Sequence, residues 1–391
     1  MDNFIFTSPT YFVFGKDTEN KAGEMVKKFG GTKVLIHYGG GSAVKSGLID
    51  RVKASLDKEN IPYILLGGVQ PNPRSGLVYE GIELCRKENI DFILAVGGGS
   101  AIDSSKAIAG GVLYDGDFWD HHSGKSVEKA LPVGTVLTIA AAGSEGSGNT
   151  VITHENGMFK RGCRTDILRP KFSILNPELT CTLPPFQTAC GITDIMAHLY
   201  ERYLTNTKDV EVTDRLIEGL LLSVINEAPK VMKNPQDYNA RANIMWAGTL
   251  AHNNVCGVGR TQDWTGHSIE HELSGLYDCA HGAGLAVTMP ALFSYVLGHD
   301  VARFAQIAVR VWGCQMDFAN PEITARKGIE ALRQFLISIG MPKNFEELGA
   351  KEEDIPYLVD ALCCGNGRPG YIEGFVKLDK NDCEKIYKLM V

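Results

Sequence analysis

The stretch GRTQDWTGHSIEHELSGLYDCAHGAG, residues 259–284, carries His267, His271 and His281, three of the ten histidines in the chain. His267 and His271 are four residues apart, and so are Asp194 and His198 in GITDIMAHLYERY. On a helix, residues four apart project from one face. Two such pairs and one further imidazole offer nitrogen and carboxylate oxygen to a divalent cation, a donor set that suits Zn2+ or Fe2+. Each residue alone has an ordinary explanation: a helical histidine is commonly a surface or core residue, and Asp194 could be a first-turn acid. The five together favour a metal site, and the spacing does not say which of them stays off the metal.

A second kind of chemistry lies in the glycine runs. Gly97, Gly98, Gly99 and Ser100 follow the apolar run FILAV and open a helical pattern, AIDSSKAIAGGVL. Glycine lets the backbone approach a ligand, and the helix start offers unpaired N–H groups to an anion, which suits a pyrophosphate. A plain strand-to-helix turn explains one glycine; three in a row favour the phosphate. Gly39, Gly40, Gly41 and Ser42 repeat the arrangement after KVLIHY. No carboxylate stands between Tyr38 and Asp50 to take a ribose 2′-hydroxyl, while Ser42 and Lys45 are donors. That leans toward NADP(H) over NAD(H). The GxGxxG fingerprint is absent, and a third small-residue loop, TIAAAGSEGSGNT (138–150), follows another apolar run.

The elements that must position these residues fall into two grammars. Up to about residue 179, short apolar runs (33–41, 62–68, 91–99, 134–141) alternate with amphipathic helical patterns (46–60, 74–89). Such alternation indicates βαβ units and a Rossmann-like α/β domain with a parallel sheet. After that, long segments with apolar spacing near 3.6 predict an all-α domain. At 391 residues the chain exceeds what one core usually supports, so the expected division is 1–179, binding a dinucleotide, and 180–391, binding metal and substrate. The N-terminal stretch MDNFIFTSPTYFVFGK predicts two short strands around TSPT. It lacks a basic n-region and is broken by Pro9, so it does not read as a signal peptide.

A net charge of −7 argues against a nucleic-acid partner. The one basic stretch, KRGCRTDILRPK (160–171), reads as a solvated loop or a contact to a small phosphorylated ligand. No apolar run approaches the ~18 residues of a membrane span. Ten cysteines without a CxxC pair fit buried thiols in a reducing, cytoplasmic compartment.

The set GGGSxxDxxK (97–106), Gly143-Ser144-Glu145, the DxxxH helix and HxxxHxLSxxYDxxHGxG (267–284) resembles the iron-containing (group III) alcohol dehydrogenases, over essentially the whole chain. YGGGS, NPR, WAGTLAHN and HELSGLYDCAHGAG resemble most the butanol dehydrogenase branch, which includes NADPH-dependent aldehyde reductases. The resemblance implies a dehydroquinate synthase-like architecture, a homodimer, and metal ligands at Asp194, His198, His267 and His281. His271 then falls on the non-ligand histidine near nicotinamide and substrate, a candidate proton relay. Gly39 to Ser42 fall on the adenosine-ribose site, and Gly97 to Ser100 with Asp103 on the pyrophosphate and nicotinamide-ribose region. Thr138 matches a coenzyme contact, and Lys160 lies where relatives place a lysine near the coenzyme. Ala140 and Ala142 depart from the proline and threonine usual in relatives, which removes a hydroxyl.

The activity so implied is a metal-dependent, NAD(P)-linked interconversion of small primary alcohols and aldehydes such as butanol and butanal. The metal would polarise the carbonyl while the nicotinamide exchanges hydride with its carbon. Trp264 and Phe375 are candidate walls of an apolar substrate pocket. The alternatives are a glycerol dehydrogenase-like or dehydroquinate synthase-like enzyme of the same architecture, a metal-dependent hydrolase whose glycine loops are structural, or a non-catalytic nucleotide-binding protein. The synthase would need several Lys and Arg facing the metal, and residues 250–285 offer only Arg260.

Overall fold

The computed structural model describes residues 1–365 and 368–391, which form two compact units. The first comprises residues 7–183 and 235–253. Its apolar runs become a six-stranded parallel sheet in the order β1-β8-β5-β4-β2-β3. The strands are β1 (Tyr11–Phe14), β2 (Val34–Gly39), β3 (Tyr63–Val69), β4 (Phe92–Gly97), β5 (Val133–Leu137) and β8 (Phe172–Leu175). An antiparallel hairpin, β6 (Asn149–His154) and β7 (Phe159–Arg164), precedes β8.

Strands β2 and β4 are near-continuous apolar runs because both sheet faces are covered. Val34 and Ile36 pack with Met25, Val26, Val52 and Leu56 of the helices Ala22–Lys28 and Leu48–Lys58. Leu35 and Ile93 point the other way, to Val78, Ile82 and Ile108 of the helices Ser75–Glu88 and Gly99–Val112. The chain runs from β2 outward to β3, then returns to place β4 on the other side of β2. That reversal puts a topological switch point at the carboxyl ends of β2 and β4, where open α/β sheets bind ligands.

The second unit comprises residues 1–6, 184–234 and 254–391. Apart from a two-residue strand pair, Tyr371–Ile372 with Leu378–Asp379, its regular structure is helical. The unit boundaries are not the single division at 179/180 expected from the sequence. The helix Tyr238–His252 belongs with the sheet, because Thr249 Oγ1 donates to the buried Glu145 (2.6 Å) and Trp246 takes Phe12 on its edge. Periodicity reveals a helix but not its partner. The N-terminal region forms one strand rather than two. Residues 1–6 lie on the helical unit, where Asp2 N donates to Gly259 O (2.9 Å). The basic stretch is no solvated loop: Lys160 and Arg161 are buried on β7, and Arg169 is held by Asp166 Oδ1 (2.6 Å) and Gly146 O (2.5 Å). No helix among the described residues is long and apolar enough to cross a membrane.

One polar residue ties β2 to the helix that follows β4. His37, buried in β2, donates from Nδ1 to Leu66 O (2.8 Å) and accepts at Nε2 from Ser104 Oγ (2.8 Å) of the helix after β4. Burial pushes its pKa down from 6.5 to about 4. Between these values the unfolded chain takes up a proton that the folded chain refuses, so His37 lowers stability as the pH falls from 6.5 to 4. The slope is at most about 1.4 kcal/mol per pH unit. His37→Gln should flatten the dependence of denaturation free energy on pH in that window by up to one proton; an unchanged slope would contradict the account.

Candidate active site

The helix Pro185–Tyr203 starts with proline in its first turn, where the missing N–H costs nothing, and is buried from Thr188 to its end. Asp194, His198 and Glu201 share one face at spacings of four and three. The helix Thr265–Tyr277 contributes His267, Glu270 and His271, and the helix His281–Val296 begins on His281. A Cβ on Gly282 would fall 2.1 Å from Cys190 O, so glycine there lets the start of the third helix sit directly on the backbone of the first.

The result is a convergence of ligand atoms. Asp194 Oδ1 lies 3.3 Å from His198 Nε2, 3.5 Å from His267 Nε2 and 3.8 Å from His281 Nε2. Asp194 Oδ1 and His267 Nε2 are fully buried without a hydrogen-bond partner. Buried polar atoms are normally paired, and one cation among these four would satisfy both orphans with the oxygen and nitrogen donors that Fe2+ and Zn2+ accept. The donor set therefore fits a divalent metal. Electrostatics point the same way: burial disfavours a charged His267, yet the Glu201 and Asp194 carboxylates outweigh it and hold its pKa up at about 10. A region that retains a proton so firmly is one that calls for positive charge.

His271 stands beside this group and is partly exposed, with its ring centre 6.3 Å from that of His267 and 5.7 Å from that of His281. Trp264 packs edge-on against His198 (5.8 Å) and His267 (5.6 Å). Phe375, the other expected pocket wall, is instead buried against His299 and Phe304, and its N–H donates to Asp263 (3.2 Å). Sequence reasoning passed over Glu201 and Glu270. Their signal was present, since Glu201 follows His198 by three and Glu270 follows His267 by three.

The glycine runs lie in the other unit, at the carboxyl ends of neighbouring strands. Gly39 ends β2 and is followed by Gly40, Gly41 and Ser42; Gly97 ends β4 and is followed by Gly98, Gly99 and Ser100; Thr138 follows β5 and donates from its N–H to Gly97 O (3.0 Å). The two runs thus flank the switch point. Gly98 caps the helix Gly99–Val112, and a Cβ there would meet Ile139 at 2.2 Å. Asp103 accepts from Ser144 Oγ (2.5 Å) and Val151 N–H (2.9 Å), so both carboxylate oxygens hold the small-residue loop and the hairpin. Lys160 Nζ donates to Asn72 Oδ1 (3.0 Å). Lys106, the lysine that ends GGGSxxDxxK, is completely buried, and its ammonium lies 2.6–2.9 Å from Ser144 O, Ser144 Oγ, Ser147 O and Asn149 O, to which it donates. Its mark was a lone cation within a run of small and apolar residues. Ala142 lies next to Gly99 across this loop.

Comparison with known proteins agrees with this geometry. The profile of the iron-containing alcohol dehydrogenase family matches residues 9–177, and that of the Fe-containing alcohol dehydrogenase family, C-terminal, matches residues 188–391. NADH-dependent butanol dehydrogenase A of Clostridium acetobutylicum is 40% identical over 390 residues, 99% of each chain. NADPH-dependent aldehyde reductase YqhD of Escherichia coli is 36% identical over 93% of each chain. The crystal structure of NADH-dependent butanol dehydrogenase A from Thermotoga maritima superposes with a TM-score of 0.96 at 40% identity, covering 100% of this chain and 99% of that one. The chain belongs to the iron-containing alcohol dehydrogenase family.

If the four-atom cluster is the metal centre, Zn2+ at about one hundred times its Kd should stabilise the protein by about 2.7 kcal/mol. Thermal unfolding with Zn2+ and with excess chelator checks this. The stabilisation should vanish in His267→Ala, and a shift of equal size in that variant would contradict the assignment.

Proposed function

We propose that this NAD(P)-linked alcohol dehydrogenase and aldehyde reductase acts on small primary alcohols and aldehydes such as butanol and butanal, with one divalent cation held by Asp194, His198, His267 and His281. The observation that carries this reading is the set of three imidazole Nε2 atoms within 3.3–3.8 Å of a buried, unpartnered Asp194 Oδ1. When bound, the cation supplies Lewis acidity toward the substrate oxygen, and the nicotinamide coenzyme gives or takes the hydride. The chain's part is positioning and proton handling. Trp264 shields the His198 and His267 rings from one side. His271, partly exposed and beside His267 and His281, carries the proton between the substrate oxygen and solvent.

Gly39, Gly40, Gly41 and Ser42 take the adenosine ribose, and Gly97, Gly98, Gly99 and Ser100 take the pyrophosphate. Thr138 and Lys160 contact the coenzyme, and Asp103 acts in the same region by fixing the loop from Ser144. The turn after β2 has no carboxylate before Asp50, and we assign it to NADP(H) in preference to NAD(H). The relatives named above use different coenzymes, so this preference rests on the turn itself. The same donors accept Fe2+ and Zn2+. All ten cysteines are free thiols, which supports a reducing, cytoplasmic setting.

Two experiments test the proposal. Protein stripped with a chelator should oxidise NADPH, and NADH less well, in the presence of butanal only after Fe2+ or Zn2+ is restored. His271→Ala should lower kcat by about 10²-fold. Metal binding without turnover of any small aldehyde would refute the assignment. The second concerns assembly as a homodimer through β1, an edge strand with Tyr11 and Phe14 exposed. Sedimentation should show a dimer that dissociates in Tyr11→Lys/Phe14→Lys; a wild-type monomer or an unaffected dimer would count against it.

A further inference from the structure

We infer that Glu201 and Glu270 form an outer pair of carboxylates that hold His267 and His281 with hydrogen on Nδ1, and so set how tightly the four-ligand site grips its cation; this rests on the metal-centre reading above. Glu201 Oε2 accepts from His267 Nδ1, and Glu201 Oε1 accepts from the His267 backbone N–H (2.9 Å). Glu270 Oε2 accepts from His281 Nδ1. A carboxylate has no proton to give, so each bond places a hydrogen on Nδ1, and a cation that takes the place of any proton on Nε2 meets that nitrogen's lone pair. The same bond makes the imidazole a stronger donor toward a metal and locks the ring orientation.

Both carboxylates are enclosed: Glu201 is 1% exposed and Glu270 0%. The helix ends are shaped to admit them. A Cβ on Gly284 would come within 2.8 Å of Glu270 Cγ and Oε1, so a side chain there would push Glu270 off His281. Glu201 is further anchored through its carbonyl, which accepts from Asp263 N–H (2.9 Å). Asp263 Oδ1 in turn accepts from Thr265 N–H, Thr265 Oγ1 and Phe375 N–H at 2.6–3.2 Å. His198 is handled otherwise, with its carbonyl held by Arg202 (2.8 Å) and its ring against Trp264.

The charge balance gives this arrangement its consequence. With the imidazoles neutral, as ligation of a cation requires, the buried Asp194, Glu201 and Glu270 place three negative charges around the site. Buried anions are tolerated when a cation compensates them, and a divalent ion leaves one negative charge uncompensated. Removing an outer charge should therefore weaken the hold on the cation even though that glutamate touches no metal.

The test is Zn2+ affinity measured by competition with a chromophoric chelator, on full-length wild type, Glu201→Gln, Glu270→Gln and the control Glu272→Gln. Glutamine preserves shape and an acceptor but removes the charge. Glu201→Gln and Glu270→Gln should each bind Zn2+ about 10–100-fold more weakly, and their Co2+-loaded forms should shift in visible absorption, which loss of packing alone would not produce. Glu272→Gln should match wild type in both. If Glu201→Gln does not fold, Glu270→Gln carries the same expectation. Affinities within twofold of wild type with unchanged Co2+ spectra would overturn the inference and leave the metal centre standing. A wild-type protein that binds no Zn2+ would overturn both.

Discussion

Asp194 Oδ1 is a buried anionic oxygen with three imidazole nitrogens turned toward it and no hydrogen bond of its own. Removing such a group from water costs several kcal/mol unless positive charge is supplied. The architecture of the helical unit is fitted to this constraint. One helix is buried along almost its whole length to carry Asp194, His198 and Glu201 on one face. Two more begin or pass where His267 and His281 can reach the same oxygen, and Gly282 permits the contact between helix backbones that the reach demands. The carboxylates behind two of the imidazoles deepen the demand for a cation rather than relieve it.

The sheet unit solves a different problem with a related device. Its carboxyl-end loops are built of glycine, alanine and serine, and such small-residue loops do not hold their own shape. Lys106 provides the missing framework. Its ammonium gathers four oxygens of residues 144–149, while Asp103 binds that segment from the same helix. Burial lowers the Lys106 pKa to about 8, with Asp103 and Glu145 acting against the shift. His37 ties that helix to β2. The small-residue loops at the carboxyl ends of β4 and β5 are thus fixed from behind.

Much of this was legible in the residues. Short apolar runs ending in glycine marked β2 and β4, and four-residue spacing put Asp194 with His198 and His267 with His271. Spacing did not separate His271 from the other four; in the fold the Nε2 atoms of His198, His267 and His281 lie within 3.8 Å of Asp194 Oδ1, while His271 groups with Glu270 and His281. Glu201 and Glu270 escaped notice because a helical glutamate is ordinarily a solvated residue, and only burial reveals what they face. The helix Tyr238–His252 reads as part of the helical half because its periodicity says nothing of Glu145, roughly a hundred residues earlier, which Thr249 meets. Phe375 looked like a pocket wall because aromatic residues serve pockets and cores equally.

The central claim is that the buried cluster is a metal centre with four protein ligands. The most direct test is a crystal structure of the metal-loaded protein with anomalous diffraction recorded at the absorption edge of the added ion. The account predicts one strong peak in the helical unit, about 2.0–2.2 Å from Asp194 Oδ1 and from the Nε2 atoms of His198, His267 and His281, with Glu201 and Glu270 outside coordination distance and His271 off the metal. A peak ligated by His271 in place of one of the four, by Glu201 or Glu270 directly, or at another part of the molecule would contradict it.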